Sequence, residues 1–275
     1  MLGSLTEADD AVQEAWLRAS RAETSDVDNV GGWLTTIVAR VCLNMLRSRN
    51  RRREEPFGVH LPDPVITAEG ELQPEDEALL ADQVGLALLV VLDSLSPAER
   101  LAFVLHDMFE LPFDEIAPMV GRSPVATRQL ASRARRRVKD AEIPTPDTDL
   151  ARQREVVDAF FQAAREGDFD ALLRLLHPDV ILRSDFGAKH RAASVIYRGA
   201  EAVARQARGF PGALVTPALV NGAAGAVITV RGRPIAILGF TVVDGRIVAI
   251  DGIADPDRVR RVAAAVLGGD PRNQA

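Results

Sequence analysis

The chain has 275 residues, 47% hydrophobic and 26% charged, which gives room for two or three domains, each with its own core. Its longest apolar run, 84–92, is far too short to span a bilayer, the first residues lack a basic stretch leading into an apolar core, and Cys42 is the sole cysteine. A membrane span, a disulfide scaffold and a cysteine-based metal centre are excluded on this reading, the expected compartment is the cytoplasm, and no metal or other cofactor is implied. The net charge of −6 is unevenly spread. Nine acids and no lysine or arginine fall within 54–83, whereas 40–53 holds six bases and 122–139 seven, both without an acid. Two basic strips joined by an acidic tether suggest a nucleic-acid binder built in pieces.

Residues 6–48 read as helices. Val12, Ala15, Trp16 and Ala19 recur at helical spacing, and a second run passes through Trp33, Ile37, Val41 and Met45, with 29–32 as the break. Residues 54–75 hold four prolines among the acids and show little periodicity, so they read as an irregular linker. Helices resume near Glu77. Ser96-Pro97-Ala98-Glu99 is a capping box with proline in the first turn, and Ser123-Pro124 starts a further helix after Gly121. Ile143 to Pro146 closes this part. From Leu150 an amphipathic helix runs to Gly167, and Asp168 caps another. Strands follow at 180–183, 195–197, 214–220, 226–230, 235–242 and 247–251, punctuated by Asn221-Gly222, Arg231-Gly232 and Asp244-Gly245. A last helix covers 256–267. Helices followed by a run of hairpins spell an α+β domain.

The segment 113–138 carries the sharpest signal. A short helix, a glycine turn and a longer basic helix match the helix-turn-helix plan, in which the second helix enters the major groove. On that helix Thr127, Leu130, Ala131, Ala134 and Val138 share an inward face. Arg128, Gln129, Ser132, Arg133 and Arg136 share the outward one, where arginine and glutamine suit guanine and adenine edges. Arg135, Arg137 and Lys139 are better placed for phosphates. The plain alternative is a solvated amphipathic helix. Without acids in 122–139 such a face has no i,i+4 partners, which favours DNA.

Two further stretches extend this reading. Residues 9–18 (DDAVQEAWLR), 32–40 (GWLTTIVAR) and 42–53 (CLNMLRSRNRRR) resemble region two of extracytoplasmic-function (ECF) sigma factors, and 113–117 (FDEIA) with 133–135 (RAR) resembles their region four. The resemblance implies that Asp10, Gln13, Glu14 and Leu17, one face of the first helix, bind core RNA polymerase. It implies that residues 21–32 capture a flipped base, and that Arg40, Asn44 and Arg47 hold the minus-ten strand. Arg128, Gln129, Ser132, Arg133 and Arg136 would then read the minus-thirty-five element of promoter DNA. ECF factors carry one more helix before the residues matched, so the N-terminal helix of region two is expected to be missing from this chain.

Residues 150–275 resemble the SnoaL superfamily, shared with ketosteroid isomerases and polyketide cyclases. Three local patterns are similar to an ECF subgroup that carries this domain: Leu61-Pro62-Asp63-Pro64 in the tether, the loop Asp185-Phe186-Gly187-Ala188-Lys189, and Asp255-Pro256-Asp257-Arg258-Val259. Phe186 and Ala188 replace two glycines of that loop. Leu61, Pro62, Asp63, Pro64, Asp185, Lys189, Asp255, Pro256 and Asp257 are the expected interdomain regulatory residues, with the loop packing near the tether and Lys189 facing acids.

The expected architecture is multidomain: two all-α helical domains, then an α+β cone-shaped SnoaL-like barrel. The boundaries are 1–53 for region two, 54–83 for the acidic linker, 84–143 for region four and 150–275 for the SnoaL-like domain. The expected function is promoter-directed transcription initiation, regulated by the fused domain. A ligand-sensing helix-turn-helix regulator is the alternative, with a small molecule bound in the SnoaL-like domain. An isomerase or cyclase is disfavoured, because Tyr197 is the only tyrosine and no acid–base pair has spacing that demands catalysis.

Overall fold

In the computed structural model the described residues are all except 23–28, 53–59, 69–85, 141–145, 188–193, 208–211 and 268–275. The chain forms two compact units, one of residues 1–56 and 87–143, the other of 57–86 and 144–275.

In the first unit, α1 (Leu5–Ser20) starts at Ser4, whose side chain accepts from the Glu7 amide. Helix α2 (Val30–Arg52) follows Asn29, whose side-chain oxygen accepts from the Gly32 amide at 2.9 Å. Ala11 and Ala15 of α1 pack on Val41, Cys42 and Leu46 of α2. Helix α3 (Leu86–Ser94) leads to α4 (Pro97–Phe103), which opens with the complete Ser96/Glu99 capping box and runs on as a π-helical turn, Val104–Met108. Helix α5 (Phe113–Val120) ends at Gly121, left-handed with φ 69°, and α6 (Pro124–Asp140) follows. The buried centre joins Leu101, Ala102 and Leu105 to Ile116, Met119, Val120 and Ala131, and also to Ala39 and Leu43 of α2. Thus α2 packs directly on the helix-turn-helix.

The second unit begins in the tether. Strand β1 (Ile66–Ala68) lies in the stretch read as irregular linker, and it pairs antiparallel with β4. Helices α7 (Leu150–Glu166) and α8 (Phe169–Leu175) precede β2 (Leu176–Asp185), β3 (Val195–Arg198), α9 (Ala200–Gln206), β4 (Ala213–Val220), β5 (Ala223–Val230), β6 (Arg233–Val243), β7 (Arg246–Ile253) and α10 (Pro256–Leu267). The seven-stranded sheet has the order β1-β4-β5-β6-β7-β2-β3. All pairings are antiparallel except β2–β7, which is parallel where a meander of hairpins was expected.

The three hairpin turns behave as their sequences dictate. Asn221, Arg231 and Asp244 have φ near +50° and are each followed by a glycine of positive φ, the backbone that a twisted two-residue hairpin requires. One side of the sheet buries Phe160 and Leu172 of the helices against Phe240 and Ile250, with the Phe160 and Phe240 rings edge to face at 5.5 Å. Helix α7 is stapled to the sheet by polar groups. Gln153 Oε1 accepts from the Ala224 amide at 3.0 Å, and Arg154 donates to the Gly225 and Ala218 carbonyls, each at 3.0 Å.

Candidate functional site

Within the first unit, α6 buries Thr127, Ala131 and Ala134 and leaves Arg128, Gln129, Ser132, Arg133 and Arg136 exposed. The exposed arginines are less solvated than the acid-free stretch around them suggested. Their partners come from distant sequence: Arg133 Nε donates to Glu99 Oε1 at 3.1 Å, Arg137 Nη1 to Glu99 Oε2 at 3.2 Å, and Arg135 Nε to Asp107 at 2.6 Å. Arg128 lies 5.4 Å from the centre of the Phe113 ring, a cation–π contact. Burial pushes the Glu99 carboxyl up, but hydrogen bonds from Ser96 and Arg133 and the charge of Arg137 outweigh it and hold it below the usual range.

Asp10, Gln13, Glu14 and Leu17 are all exposed on α1, with Glu14 paired to Arg18 at 2.8 Å. Val12 and Trp16 beside them are 65% and 72% exposed, an apolar stripe that a folded domain ordinarily covers. Arg40, Asn44 and Arg47 are exposed on α2, although Arg47 Nη2 reaches the Val120 carbonyl at 3.5 Å. Half of the 21–32 loop, 23–28, lies outside the described residues.

The second unit contains the densest polar cluster. Arg258, at the start of α10, binds three groups at once: Nε to Asp63 at 2.6 Å, Nη1 to Asp185 at 2.7 Å and Nη2 to the Leu61 carbonyl. Asp185, 1% exposed, accepts on the same Oδ2 from the Leu61 amide at 2.9 Å, and on Oδ1 from the Gly187 amide at 2.8 Å. His60 Nδ1 is 3.5 Å from Asp185 and Arg261 is 3.6 Å from Asp63. Burial pushes the Asp185 carboxyl up. The hydrogen bonds from His60, Leu61 and Gly187, with the charge of Arg258, reverse this and hold it far below the usual carboxylate range.

Asp255 caps α10, accepting from the amides of Asp257 and Arg258 at 3.0 and 2.9 Å, and so aims Arg258 at the tether. Asn221 completes the capture. Its side-chain oxygen accepts from the Val65 amide, and its own amide donates to the Val65 carbonyl, both at 2.8 Å. Leu61 is fully buried beneath this network.

Residues 1–52 match Sigma-70 region 2 and residues 85–138 match Sigma-70, region 4. The ECF RNA polymerase sigma factor SigJ of Mycobacterium tuberculosis is 40% identical over 273 residues, spanning 94% of this chain and 87% of its own. The chain is an ECF sigma factor. The probable ECF RNA polymerase sigma factor SigI of the same species is 33% identical, over 98% of this chain and 92% of its own. The crystal structure of M. tuberculosis SigJ aligns with a TM-score of 0.70 at 38% identity, covering 93% of this chain and 90% of that one.

This ECF sigma factor therefore serves transcription initiation, and its family's partners are core RNA polymerase and promoter DNA. Its C-terminal unit is α+β, with helices packed on one side of a mixed seven-stranded sheet. No helix among the described residues is long and apolar enough to cross a membrane. The structure brings Leu61, Asp63, Asp185 and Asp255 into one cluster, with Pro62 and Pro64 buried in the same tether segment and Pro256 and Asp257 on the exposed first turn of α10. Lys189 lies outside the described residues. Sequence reasoning passed over Arg258, Asn221 and Glu99, which do the holding. Arg258 stood inside a quoted motif and Glu99 inside the capping box, but nothing local shows which distant group either one meets.

Proposed function

We propose that the C-terminal unit regulates this sigma factor by holding the tether between regions two and four. The observation that carries this reading is the capture of residues 61–68 through Arg258, Asp185 and Asn221 and the pairing of β1 with β4. A fused domain acts at high effective concentration, so such a contact persists without a separate inhibitor. Region two, at Asp10, Gln13, Glu14 and Leu17, docks on core polymerase. Arg40, Asn44 and Arg47 hold the minus-ten strand through bases and backbone together. Helix α6 reads the minus-thirty-five element with Arg128, Gln129, Ser132, Arg133 and Arg136. The protein works in the cytoplasm, where polymerase is.

The C-terminal unit is a controlling module and carries out no reaction. Among the described residues its deeply buried carboxylates, Asp63, Asp185 and Asp251, are all engaged by arginines, the first two by Arg258 at 2.6 and 2.7 Å and the third by Arg183 at 2.9 Å. A base of the isomerase type has to be free to take a proton. The side of the sheet under α7 and α8 is packed with Phe160, Phe161, Leu172 and Phe240, which favours a protein-contacting role over a small-molecule site.

Run-off transcription with core enzyme tests the reading. Removing residues 150–275 is expected to change the promoter-dependent rate several-fold, and Arg258→Ala to change it in the same direction. Equal rates from all three proteins would leave the C-terminal unit a passenger. A conventional repressor would bind duplex DNA yet fail to retain core polymerase in a pull-down.

A further inference from the structure

We infer that Glu99 is a positioning residue for promoter recognition, holding the side chains of Arg133 and Arg137 in the orientation that DNA requires. The inference rests on the reading of α6 as the minus-thirty-five helix. Its basis is the division of one carboxylate between two tasks. Oε2 accepts from the Ser96 amide at 3.2 Å and the Ser96 hydroxyl at 2.7 Å, closing the capping box, and also from Arg137 Nη1 at 3.2 Å. Oε1 accepts from Arg133 Nε at 3.1 Å.

A capping box is served by glutamine as well as by glutamate. Only a carboxylate has two acceptor oxygens, so only glutamate can cap α4 and also hold both guanidinium groups. The anchor is buried while the anchored groups are not. The Glu99 side chain is 7% exposed, against 57% for Arg133 and 52% for Arg137.

The geometry suits pre-organisation. Bonding through Nε fixes the plane of the Arg133 guanidinium and leaves the Nη1/Nη2 fork pointing away from Glu99, the end that pairs with a guanine edge or a phosphate. An arginine ordered before binding loses less rotamer freedom when it binds. Arg133 and Arg137 are one helical turn apart, so a single acid sets a base-reading and a phosphate-binding side chain in fixed register. The cost is a negative charge close to the phosphates, and its removal has two opposite effects.

Glu99→Gln, in holoenzyme with core polymerase, should keep the cap, lose selectivity and gain sequence-independent affinity. The probe is a pool of duplexes randomised across the upstream element. Discrimination at the positions blurred by Arg133→Ala is expected to fall at least about fivefold, the lower end for one bidentate contact. Binding to random duplex should strengthen and depend more steeply on salt, since one more net positive charge faces the phosphates. A role confined to folding would lower selectivity and affinity together, and that result would overturn the inference. So would unchanged discrimination in Glu99→Gln while Arg133→Ala abolishes it. If neither Arg133→Ala nor Arg136→Ala alters the preference, the reading of α6 itself fails. Should Glu99→Gln not fold, nuclear magnetic resonance on the unmutated full chain decides: a slowly exchanging Arg133 Nε–H is expected, and a freely exchanging one rules the contact out.

Discussion

Arg258 shows how much one side chain can organise. It is 13% exposed and satisfies Asp63, Asp185 and the Leu61 carbonyl together, and burial of its charge is outweighed by the two carboxylates, which raise its pKa. Removing one partner of such a cluster strands the others, which costs roughly 3–5 kcal/mol for a buried pair. Arg258→Ala is therefore expected to destabilise the second unit by about that amount in urea. The Leu61 and Val65 amides should also exchange hydrogen far faster, and protected amides in the variant would show that the tether needs no arginine. Asp185 contributes a pH dependence of definite sign. Its folded pKa lies below the unfolded value of about 3.9, so its stabilisation is complete above that value and is lost as pH falls below it. Asp185→Asn should thus cost stability undiminished at neutral pH, with the gap to the parent protein narrowing below about pH 4. Measuring both proteins in a His60→Ala background removes the imidazole 3.5 Å away from the comparison.

Among elements, the sequence was most legible where the physics is local. The three hairpins, the capping box, both first-turn prolines and the inward face of α6 depend on residues within a turn or two of each other. Strand β1 was hidden because Ile66-Thr67-Ala68 is three residues long, with proline at 64 and acids at 69 and 71, and earns its pairing from β4, some 150 residues away. The parallel β2–β7 pairing is also non-local, joining residues some 70 apart, and α9 offers too short a pattern to stand out from its flanking strands. The Asp185–Lys189 loop shows the limit of motif reading. Two of its expected glycines are replaced, but Gly187 remains where it is needed. It has φ +80°, and a Cβ there would lie 1.8 Å from an Asp255 carboxylate oxygen. Gly187→Ala is expected to push Asp255 out of its cap on α10, costing about 1–3 kcal/mol from the lost cap and the strained backbone. Thermal melting would measure the loss, and an unchanged midpoint would mean that the loop re-forms without disturbing Asp255.

At the scale of the molecule, the first unit cannot serve a promoter in its present form. Ala39 and Leu43 of α2 pack into the same core as Ile116, Met119 and Val120 of the helix-turn-helix, and Arg47, assigned to the minus-ten strand, sits against the Val120 carbonyl. The two promoter elements are about 25 base pairs apart by their names, or roughly 85 Å of duplex at about 3.4 Å per step. A compact unit of this size has a radius of gyration of only about 13 Å, so regions two and four cannot reach both elements while packed together. Binding to core polymerase must therefore separate them, exposing Ala39, Leu43 and the buried face of α5, and releasing Arg47. The tether that has to pay out during this separation contains the segment gripped by Arg258 and Asn221, and under the proposed function that grip is what the C-terminal unit uses to act on the opening. Spectroscopic labels at Ser20 of α1 and Asp114 of α5, both exposed, with the buried Cys42 left unmodified, would follow the change. The label separation is expected to lengthen by tens of ångströms when core polymerase is added. Arg258→Ala should shift the free protein part of the way towards the open distance. A separation that stays the same in free protein and holoenzyme would mean that the packing of α2 on the helix-turn-helix survives transcription, and the mechanism of control would have to lie elsewhere.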